Sequence, residues 1–192
     1  MLFDIILMVK KMRCKWVNEK NEIYIKYHDE EWGVPSFDDK YLFEMLLLES
    51  FQAGLSWECI LNKRENFRDA FDNFDYTKIS NYDENKIEEL KNNAGIVRNK
   101  RKIIAAINNA KIFIQIQKEF GSFSKYIWNF TNGEVIKNID NNFVTTSPLS
   151  DAVSKDLSKR GMKFVGSTII YSYLQAIGVI NDHELNCDWY NK

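Results

Sequence analysis

The segment KRGMKFVGST, residues 159–168, joins two predicted helices through a short turn that contains two glycines. The first helix has a strong start at Ser147-Pro148, because serine caps a helix and proline suits its first position. We expect this helix to end at about Lys159, and the next one to run from about Gly166 to Ile177. A helix, a tight turn and a second helix in this order form a helix–hairpin–helix pattern.

The turn of this pattern has the features of a phosphate-binding site. Gly166 would let the backbone approach a phosphate closely, and Ser167 and Thr168 begin a helix whose free amides and dipole attract anions. Lys163 and the pair Lys159-Arg160 add positive charge. An ordinary αα-hairpin with a glycine cap would explain the same residues. The pattern alone therefore leaves both DNA binding and a purely structural turn open.

A second basic cluster lies before a long predicted helix. It fits either a second contact to a nucleic-acid backbone or the solvated start of a helix, and the sequence does not separate these two interpretations. The cluster consists of Arg98, Lys100, Arg101 and Lys102.

Helical periodicity dominates the rest of the chain, and strand signals are few. The polar segment 131–146 contains Asn132-Gly133 and predicts an ordered loop with room for a short hairpin. We expect a mainly α fold with one domain over residues 12–192, and residues 1–11 as a non-essential extension. The remaining predicted helices cover residues 39–52, 63–74, 84–93 and 99–120.

Composition and charge exclude several classes of protein. The chain has 192 residues, of which 45% are apolar, so it is globular rather than disordered. A net charge of −1 excludes a histone-like coat for nucleic acid. Three cysteines cannot all pair, which disfavours a secreted disulfide scaffold and predicts a cytoplasmic location. No apolar run reaches the roughly 20 residues that span a bilayer, so we expect no membrane association.

Four of the five histidine and cysteine residues lie near the two ends of the chain. Cys14 and His28 are separated by a polar stretch that can form a loop, and His183 and Cys187 would share one face of a helix. Such a Cys₂His₂ set can enclose one Zn²⁺ in a closed, structural site that ties the ends together. The alternative is four unrelated residues, with the cysteines buried as small hydrophobic groups. Cys59 has no histidine nearby, and we expect it in the core.

Glu49 occupies a position where the helical pattern calls for an apolar residue. A buried carboxylate is costly unless it has a partner, and natural proteins keep such groups mainly at functional sites or in ion networks. Aromatic faces beside one carboxylate suit a flat, cationic heterocycle. The alternative is that Glu49 pairs with a lysine or arginine at the surface and that the aromatic residues are core. The stripe comprises Leu42, Met45, Leu46, Glu49 and Ala53, and the aromatic residues are Trp16, Tyr24, Tyr27, Trp32, Phe51 and Trp57.

Together these motifs resemble the DNA-3-methyladenine glycosylase I family, in the same order and over nearly the whole chain from Met12 to about Cys187. The resemblance implies a helix–hairpin–helix DNA glycosylase fold with two helical lobes and the base pocket between them. It also implies one structural zinc that joins the N- and C-terminal segments, with ligands at the positions of Cys14, His28, His183 and Cys187. The segments that carry the resemblance are MRCKW (12–16), YHDEEWGVP (27–35), LESFQAGLSW (48–57), KRENF (63–67), NNAGIVR (92–98), KRGMKFVGST (159–168) and NDH (181–183).

The resemblance also implies roles for individual residues. Glu49 would be the catalytic pocket acid, at the amino edge of the methylated base. Ser50-Phe51 departs from the more polar residues expected before Gln52, which leaves the details of gap-filling open. The implied base-binding residues are Tyr27, Trp57, Tyr24 and Trp16; Gln52, Gly54 and Leu55 would fill the gap left by a flipped base, and Lys163, Gly166, Ser167 and Thr168 would contact DNA.

The implied reaction is hydrolysis of the N-glycosidic bond of 3-methyladenine, with 3-methylguanine as a further candidate substrate. The partner is double-stranded DNA that contains an alkylated base, and the products are free 3-methyladenine and an abasic site. We expect a monomer in the bacterial cytoplasm, acting at the nucleoid. Asp182 adjoins His183 and is expected to be structural. Two alternatives stay open: a catalytically silent binder of damaged DNA with the same fold, and a zinc-dependent hydrolase with an open metal site.

Overall fold

The computed structural model describes residues 11–139 and 142–191. Over these residues the fold is mainly helical, as the sequence predicts, and no helix among them is long and apolar enough to cross a membrane. Residues 1–10 of the predicted extension lie outside the described residues. The elements are α1 (Glu22–Glu30), α2 (Asp39–Gln52), α3 (Trp57–Leu61), α4 (Arg64–Ala70), α5 (Tyr76–Ile79), α6 (Glu84–Asn92), α7 (Lys100–Phe120), α8 (Phe123–Asn129), β1 (Ile136–Lys137), α9 (Pro148–Lys159), α10 (Ser167–Ala176) and β2 (Ile180–Asn181).

The helices α2, α6, α7, α9 and α10 form where the sequence predicts them, within one or two residues. Asp83 and Asn99 cap α6 and α7 through their side chains. At α9 the hydroxyl of Ser147 accepts from the amide of Ser150 at 3.1 Å, and the hydroxyl of Ser150 accepts from the amide of Ser147 at 2.8 Å. A cap of this type stabilises a helix by about 1 kcal/mol.

The single helix predicted over residues 63–74 was wrong. Helix α4 ends at Ala70, and Asp72–Phe74 follow as a left-handed turn with φ between +50° and +57°. Asp and Asn tolerate this conformation better than other residues with side chains. The turn lets both Phe71 and Phe74 enter the core, where neither is exposed.

The stretch between Cys14 and His28 is not simply a loop, because it contains α1. Asn21 caps this helix, and its side-chain oxygen accepts from the amides of Ile23 at 3.1 Å and Tyr24 at 3.4 Å. The helix is only nine residues long, and the polar composition of the stretch that contains it predicts a loop. Its formation places His28 and two tyrosines on one rigid element.

Within the described part of residues 131–146, the suggested hairpin does not form. Strand β1 instead pairs in parallel with β2, with Ile136 opposite Ile180 and Lys137 opposite Asn181. Parallel pairing between segments this far apart depends on tertiary packing, which no local turn signal reports. The pairing holds the C-terminal segment beside the loop that precedes α9.

Helix α2 lies at the centre of the fold, in contact with α3, α7, α8 and α10. Every residue from Leu42 to Phe51 is buried, so the single apolar stripe predicted for this helix was too narrow. Even Glu44 is buried, and its carboxylate accepts a hydrogen bond from Arg64 at 2.6 Å. Arg64 also donates to Glu31 at 2.8 Å. These ion pairs compensate the charges that the burial would otherwise leave alone.

Gly178 lies where the chain after α10 meets the chain after α1. Its φ is +75°, and a Cβ at this position would overlap the backbone of Val34 and Pro35. Backbone hydrogen bonds of 2.9 and 3.0 Å join segment 33–36 to the end of α10 and its C-cap on either side of this contact. The glycine therefore fixes α1 against α10.

Gly178→Ala is expected to lower the free energy of unfolding by more than about 4 kcal/mol, because the added methyl must displace backbone. Gly133→Ala is the matched control. Gly133 also has a positive φ, +82°, but no described residue brings an atom within 4 Å of its Cβ position. Alanine there meets only the left-handed penalty of roughly 1–2 kcal/mol. Urea unfolding of both variants measures the difference, and equal losses would contradict the close contact at Gly178.

Candidate active site

A cavity of about 690 Å³ opens between α1, α2 and α3 on one side and α10 on the other. Its walls contain both aromatic rings and polar side chains, a composition typical of ligand-binding pockets. Residues 142–145 line a further part of the wall. The structure brings into this one cavity Glu49 and all the residues that the sequence analysis assigned to base binding, namely Trp16, Tyr24, Tyr27 and Trp57.

Glu49 is buried, with 2% of its surface exposed, and its Oε2 atom has no hydrogen-bond partner among the described residues. Desolvation raises the pKa of this carboxyl well above its usual value, and no cation among those residues offsets the effect. The alternative of a surface ion pair is therefore wrong. A buried acceptor without a partner is costly, and it is the arrangement expected of a group whose partner is a ligand.

Two aromatic rings stand close together beside this acid. Tyr27, which is buried, lies 5.3 Å from Trp57 between ring centroids, with the planes tilted by 52°. The Nε1 atom of Trp57 is buried and lacks a partner in the described part of the chain. On another wall Trp16 packs edge-on against Tyr24 at 5.3 Å and Trp32 at 4.8 Å. The cavity thus offers ring faces, one unpaired acceptor and one unpaired donor.

A tight turn follows α2 at the edge of this cavity. The amide of Leu55 donates to the carbonyl of Gln52 at 2.6 Å, Ala53 has φ −44° and ψ 111°, and Gly54 has φ +81°. These angles define a type II turn, whose third position favours glycine. Gln52, the first residue of the turn, lines the cavity, whereas Leu55, its last residue, is 42% exposed. The three residues predicted to fill a gap in DNA therefore lie together, at the cavity and on its exposed rim.

The turn between α9 and α10 is anchored from within and exposed at its tip. Met162 and Val165 are buried, whereas Lys163 and Gly166 face outward. Asn109 of α7 binds both the amide and the carbonyl of Lys163, each at 2.8 Å. This rigid, exposed turn is the geometry that backbone recognition of a phosphate requires.

Other residues of the predicted hairpin have different positions. Arg160 donates to Asp156 and Glu119 at 2.6 Å each, so carboxylates neutralise its charge. The hydroxyl of Ser167 is bound to the side chains of Ser150 at 2.8 Å and Asp151 at 2.5 Å, which leaves its backbone amide as the group for an anion. Thr168 follows the hairpin, but it also lines the cavity.

Three of the four predicted metal ligands form one buried cluster. Candidate ligand atoms of Cys14, His28 and Cys187 all lie within 4.8 Å of one another. His28 Nδ1 lies 2.8 Å from a carboxylate oxygen of Asp29, which also accepts two hydrogen bonds from Arg13. A carboxylate on Nδ1 orients an imidazole so that Nε2 can bind a metal.

His183 lies next to this cluster, with its ring centroid 5.0 Å from that of His28. Its Nδ1 atom lies 3.0 Å from the side-chain oxygen of Asn181, and its Nε2 atom is buried with no partner in the part of the chain that the structure describes. Burial lowers the pKa of His183 to about 4, so the ring is neutral, the form that binds metals. Two cysteines and two neutral imidazoles, one with an orphaned nitrogen, fit a soft divalent cation.

His183 and Cys187 reach this position without a shared helix, and that prediction was wrong. Strand β2 ends at Asn181, and the amide of Cys187 closes a turn onto the carbonyl of Glu184 at 2.8 Å. Asp188 then binds the backbone of Met12 through both its amide and its carboxylate, at 2.9 Å each. Hydrogen bonds of this kind, between residues that are distant in the sequence, stabilise a turn that no local sequence signal predicts. Cys59, also predicted to be in the core, is only half-buried on α3.

Sequence reasoning missed the wall that α10 contributes. Its polar and aromatic residues recur at positions i, i+3, i+4 and i+7 directly after the hairpin, a spacing that marks one helix face and was the available signal. Asp182 accepts from Gln175 at 2.5 Å, Asn138 at 2.6 Å and Tyr171 at 3.0 Å at this wall. The residues of α10 in the wall are Thr168, Tyr171, Ser172 and Gln175.

Comparison with known proteins places the chain among enzymes of one kind. The family model for methyladenine glycosylase matches residues 16–191. DNA-3-methyladenine glycosylase 1 of Escherichia coli (strain K12) is 45% identical over 181 residues, which is 93% of this chain and 96% of that protein.

Solved structures agree with this result. A crystal structure of 3-methyladenine DNA glycosylase I superposes with a TM-score of 0.88 at 44% identity, covering 93% of this chain and 99% of the other. A variant of such an enzyme in complex with 3-methyladenine gives a TM-score of 0.86 at 35% identity, covering 90% and 95% of the two chains. The chain therefore belongs to the methyladenine glycosylase family.

Proposed function

We propose that this protein is a base-excision repair DNA glycosylase that hydrolyses the N-glycosidic bond of 3-methyladenine in alkylated double-stranded DNA. The products are free 3-methyladenine and an intact abasic site. One observation carries the proposal: Glu49 is a buried acceptor with no partner among the described residues, in a cavity lined by aromatic rings. The related structure with bound 3-methyladenine supports this choice of base.

Recognition follows from the chemistry of the damaged base. Methylation at N3 makes adenine cationic while it is attached to its sugar, so ring faces attract it through stacking and cation–π interactions. Tyr27 and Trp57 supply such faces, and the carboxylate of Glu49 accepts from the amino edge. Undamaged adenine has no charge and gains less from the same groups.

Catalysis needs little acid assistance, because the positive charge already weakens the glycosidic bond. Extruding the nucleotide costs a few kcal/mol, and least for a damaged base. Groups that bind the departing base more strongly than the intact nucleotide then lower the barrier. The only lysine that lines the cavity in the described part of the chain is Lys15, which lies at the exposed rim 3.6 Å from Glu184. This supports simple hydrolysis over lyase chemistry.

The proposed grip on DNA uses two exposed turns. The hairpin binds the phosphate backbone through the amides near Gly166 and the charge of Lys163, and the turn Gln52–Leu55 fills the gap left by the flipped base. A few such contacts suffice at one damaged site, which is compatible with a net charge of −1. We propose that the enzyme acts as a monomer in the bacterial cytoplasm.

We propose that one structural Zn²⁺ is held by Cys14, His28, His183 and Cys187. When bound, the metal supplies a crosslink between the two ends of the chain and leaves no ligand position for water. Asp29 and Asn181 orient the two imidazoles through their Nδ1 atoms.

Chromatography of the bases released from methylated duplex DNA tests the proposed function. Free 3-methyladenine at one equivalent per site is the expected result, and the amount of 3-methylguanine measures the breadth of the pocket. Tight binding to abasic DNA without base release would instead identify a silent damage binder. Activity that disappears on brief chelation, while the fold persists, would identify an open catalytic metal site.

Glu49→Gln should slow single-turnover release of 3-methyladenine by about 10- to 100-fold, the value of a hydrogen bond to a charged group. Asp182→Asn should slow this release much less, because the carboxylate of Asp182 is engaged by three neighbouring side chains rather than by the base. Equal losses in the two variants would count against Glu49 as the pocket acid.

Stability measurements separate this loss from unfolding. The raised pKa of Glu49 means that the folded protein binds its proton more tightly than the unfolded chain does. The free energy of unfolding therefore falls as the pH rises above the pKa of this group in the unfolded chain. Glu49→Gln removes this loss of stability, because glutamine does not titrate. Urea unfolding at neutral pH should show the variant more stable than the parent by about 1–2 kcal/mol.

Metal analysis of the purified protein should find one zinc per chain. Cys187→Ser should abolish this binding and lower the thermal midpoint, because the crosslink between the ends is lost. Cys59→Ser removes a thiol outside the cluster and should retain one zinc. A Cys187→Ser protein that keeps its zinc would refute the ligand set.

Gly166→Ala should weaken binding to abasic duplex DNA by about tenfold while leaving stability unchanged. The φ of Gly166 is −62°, and a Cβ at this position would have no atom of the described residues within 4 Å, so the fold accommodates alanine. The methyl group would instead stand between the backbone and an approaching phosphate. Unchanged affinity, measured by fluorescence anisotropy, would remove the hairpin from the DNA interface.

A further inference from the structure

Lys102 is a buried cation for which the mechanism above has no use. It lies in the first turn of α7 with 6% of its surface exposed. Its Nζ atom donates to the carbonyl of Phe51 at 2.8 Å and to the carbonyl of Ala53 at 2.6 Å. No carboxylate in residues 11–139 and 142–191 pairs with it, and burial lowers its pKa. This burial could not be predicted from the sequence, because Lys102 stands in an otherwise exposed basic cluster.

The two carbonyls that Lys102 binds flank Gln52, at the point where α2 ends. Helix C-termini carry partial negative charge and unpaired carbonyls, so an ammonium group there is favourable. Gln52 is also the first residue of the type II turn that ends at Leu55. Lys102 therefore fixes the backbone on both sides of the residue from which that turn starts.

The same lysine lies against the hairpin. Its Nζ atom is 6.0 Å from the ring centroid of Phe164, a hairpin residue with φ +55°. The carbonyl of Phe164 accepts from the hydroxyl of Ser50 on α2 at 3.2 Å. Asn109, two turns further along α7, holds Lys163. The N-terminal half of α7 thus connects the two exposed turns.

A stabilising role alone explains this arrangement poorly. Burying an ammonium group costs several kcal/mol, and an apolar residue of similar volume is often neutral or better at such a position. What the lysine adds is direction, because its two hydrogen bonds fix where two particular carbonyls lie. Precision of this kind matters where a backbone segment must enter a defined gap.

We infer that Lys102 is a positioning residue that holds the turn Gln52–Leu55 in register with the hairpin, so that the turn fills the base stack while the hairpin grips the backbone. This inference rests on the proposed function. Lys102 is not among the described residues that line the cavity, so we expect its effect to be confined to duplex DNA, where there is a gap to fill.

Lys102→Met tests the inference, with Lys111→Met as the matched control on the exposed face of the same helix. Single-turnover release of 3-methyladenine from duplex DNA should fall about tenfold in Lys102→Met and stay unchanged in the control. Release from single-stranded methylated DNA, and the Kd for free 3-methyladenine measured by tryptophan fluorescence, should stay within about twofold of the parent. Equal losses on duplex and single-stranded DNA would overturn the inference in favour of a general structural role.

A double-mutant cycle with Leu55→Ala adds a readout that a structural role would not change. If Lys102 acts through the turn, Lys102→Met should have little further effect on duplex release once Leu55 is truncated. Additive losses would overturn the inference. Lys102→Gln, which keeps an N–H donor, replaces Lys102→Met in both experiments if the methionine variant does not fold. Absence of base release by the parent protein would refute the proposed function instead, so the two failures are distinguishable.

Discussion

The burial of α2 on every side between Leu42 and Phe51 is the constraint on which the rest of this structure depends. Because α3, α7, α8 and α10 enclose this part of the helix, a polar side chain on it must either find a hydrogen-bond partner inside the protein or remain unpaired. Glu44 has such a partner in Arg64, whereas the Oε2 atom of Glu49 has none in residues 11–139 and 142–191. The same packing thus produces one compensated charge that holds helices together and one uncompensated acceptor that faces a cavity. The proposed selectivity for a base that brings positive charge and N–H donors would follow from that difference.

The two ends of the chain meet at the cluster of Cys14, His28 and Cys187, which lies beside the cavity. Helix α1 carries Tyr24 and Tyr27 toward the cavity and His28 toward the cluster, so the two sites share one rigid element. Trp16 reinforces this connection, because its ring lies 5.3 Å from both Tyr24 and His28. A crosslink at the cluster would therefore hold one wall of the cavity in place, although it takes no part in the chemistry.

Local signals account for what could be predicted from the sequence, and long-range packing accounts for what could not. The caps of α9 and the periodicity of α7 are local, and both helices begin and end close to their predicted positions. Glu49 was recognisable because a carboxylate among apolar residues is unusual. By contrast, the turn that brings His183 to the cluster depends on bonds to the other end of the chain. Lys102 could not be distinguished from its exposed neighbours, since its partners are backbone carbonyls that lie about fifty positions away.

The ionisation of Glu49 tests the central claim most directly, because the account requires a carboxyl group that lacks a partner until the base arrives. Carbon-13 NMR can follow the side-chain carboxyl carbon of Glu49 with pH, with the signal assigned by its loss in the Glu49→Gln protein. The account predicts a midpoint well above the usual value of 4.5 in the free protein, and a lower midpoint with saturating 3-methyladenine, because N–H donors stabilise the carboxylate. A midpoint near 4.5 in the free protein, or one that the base does not change, would contradict it.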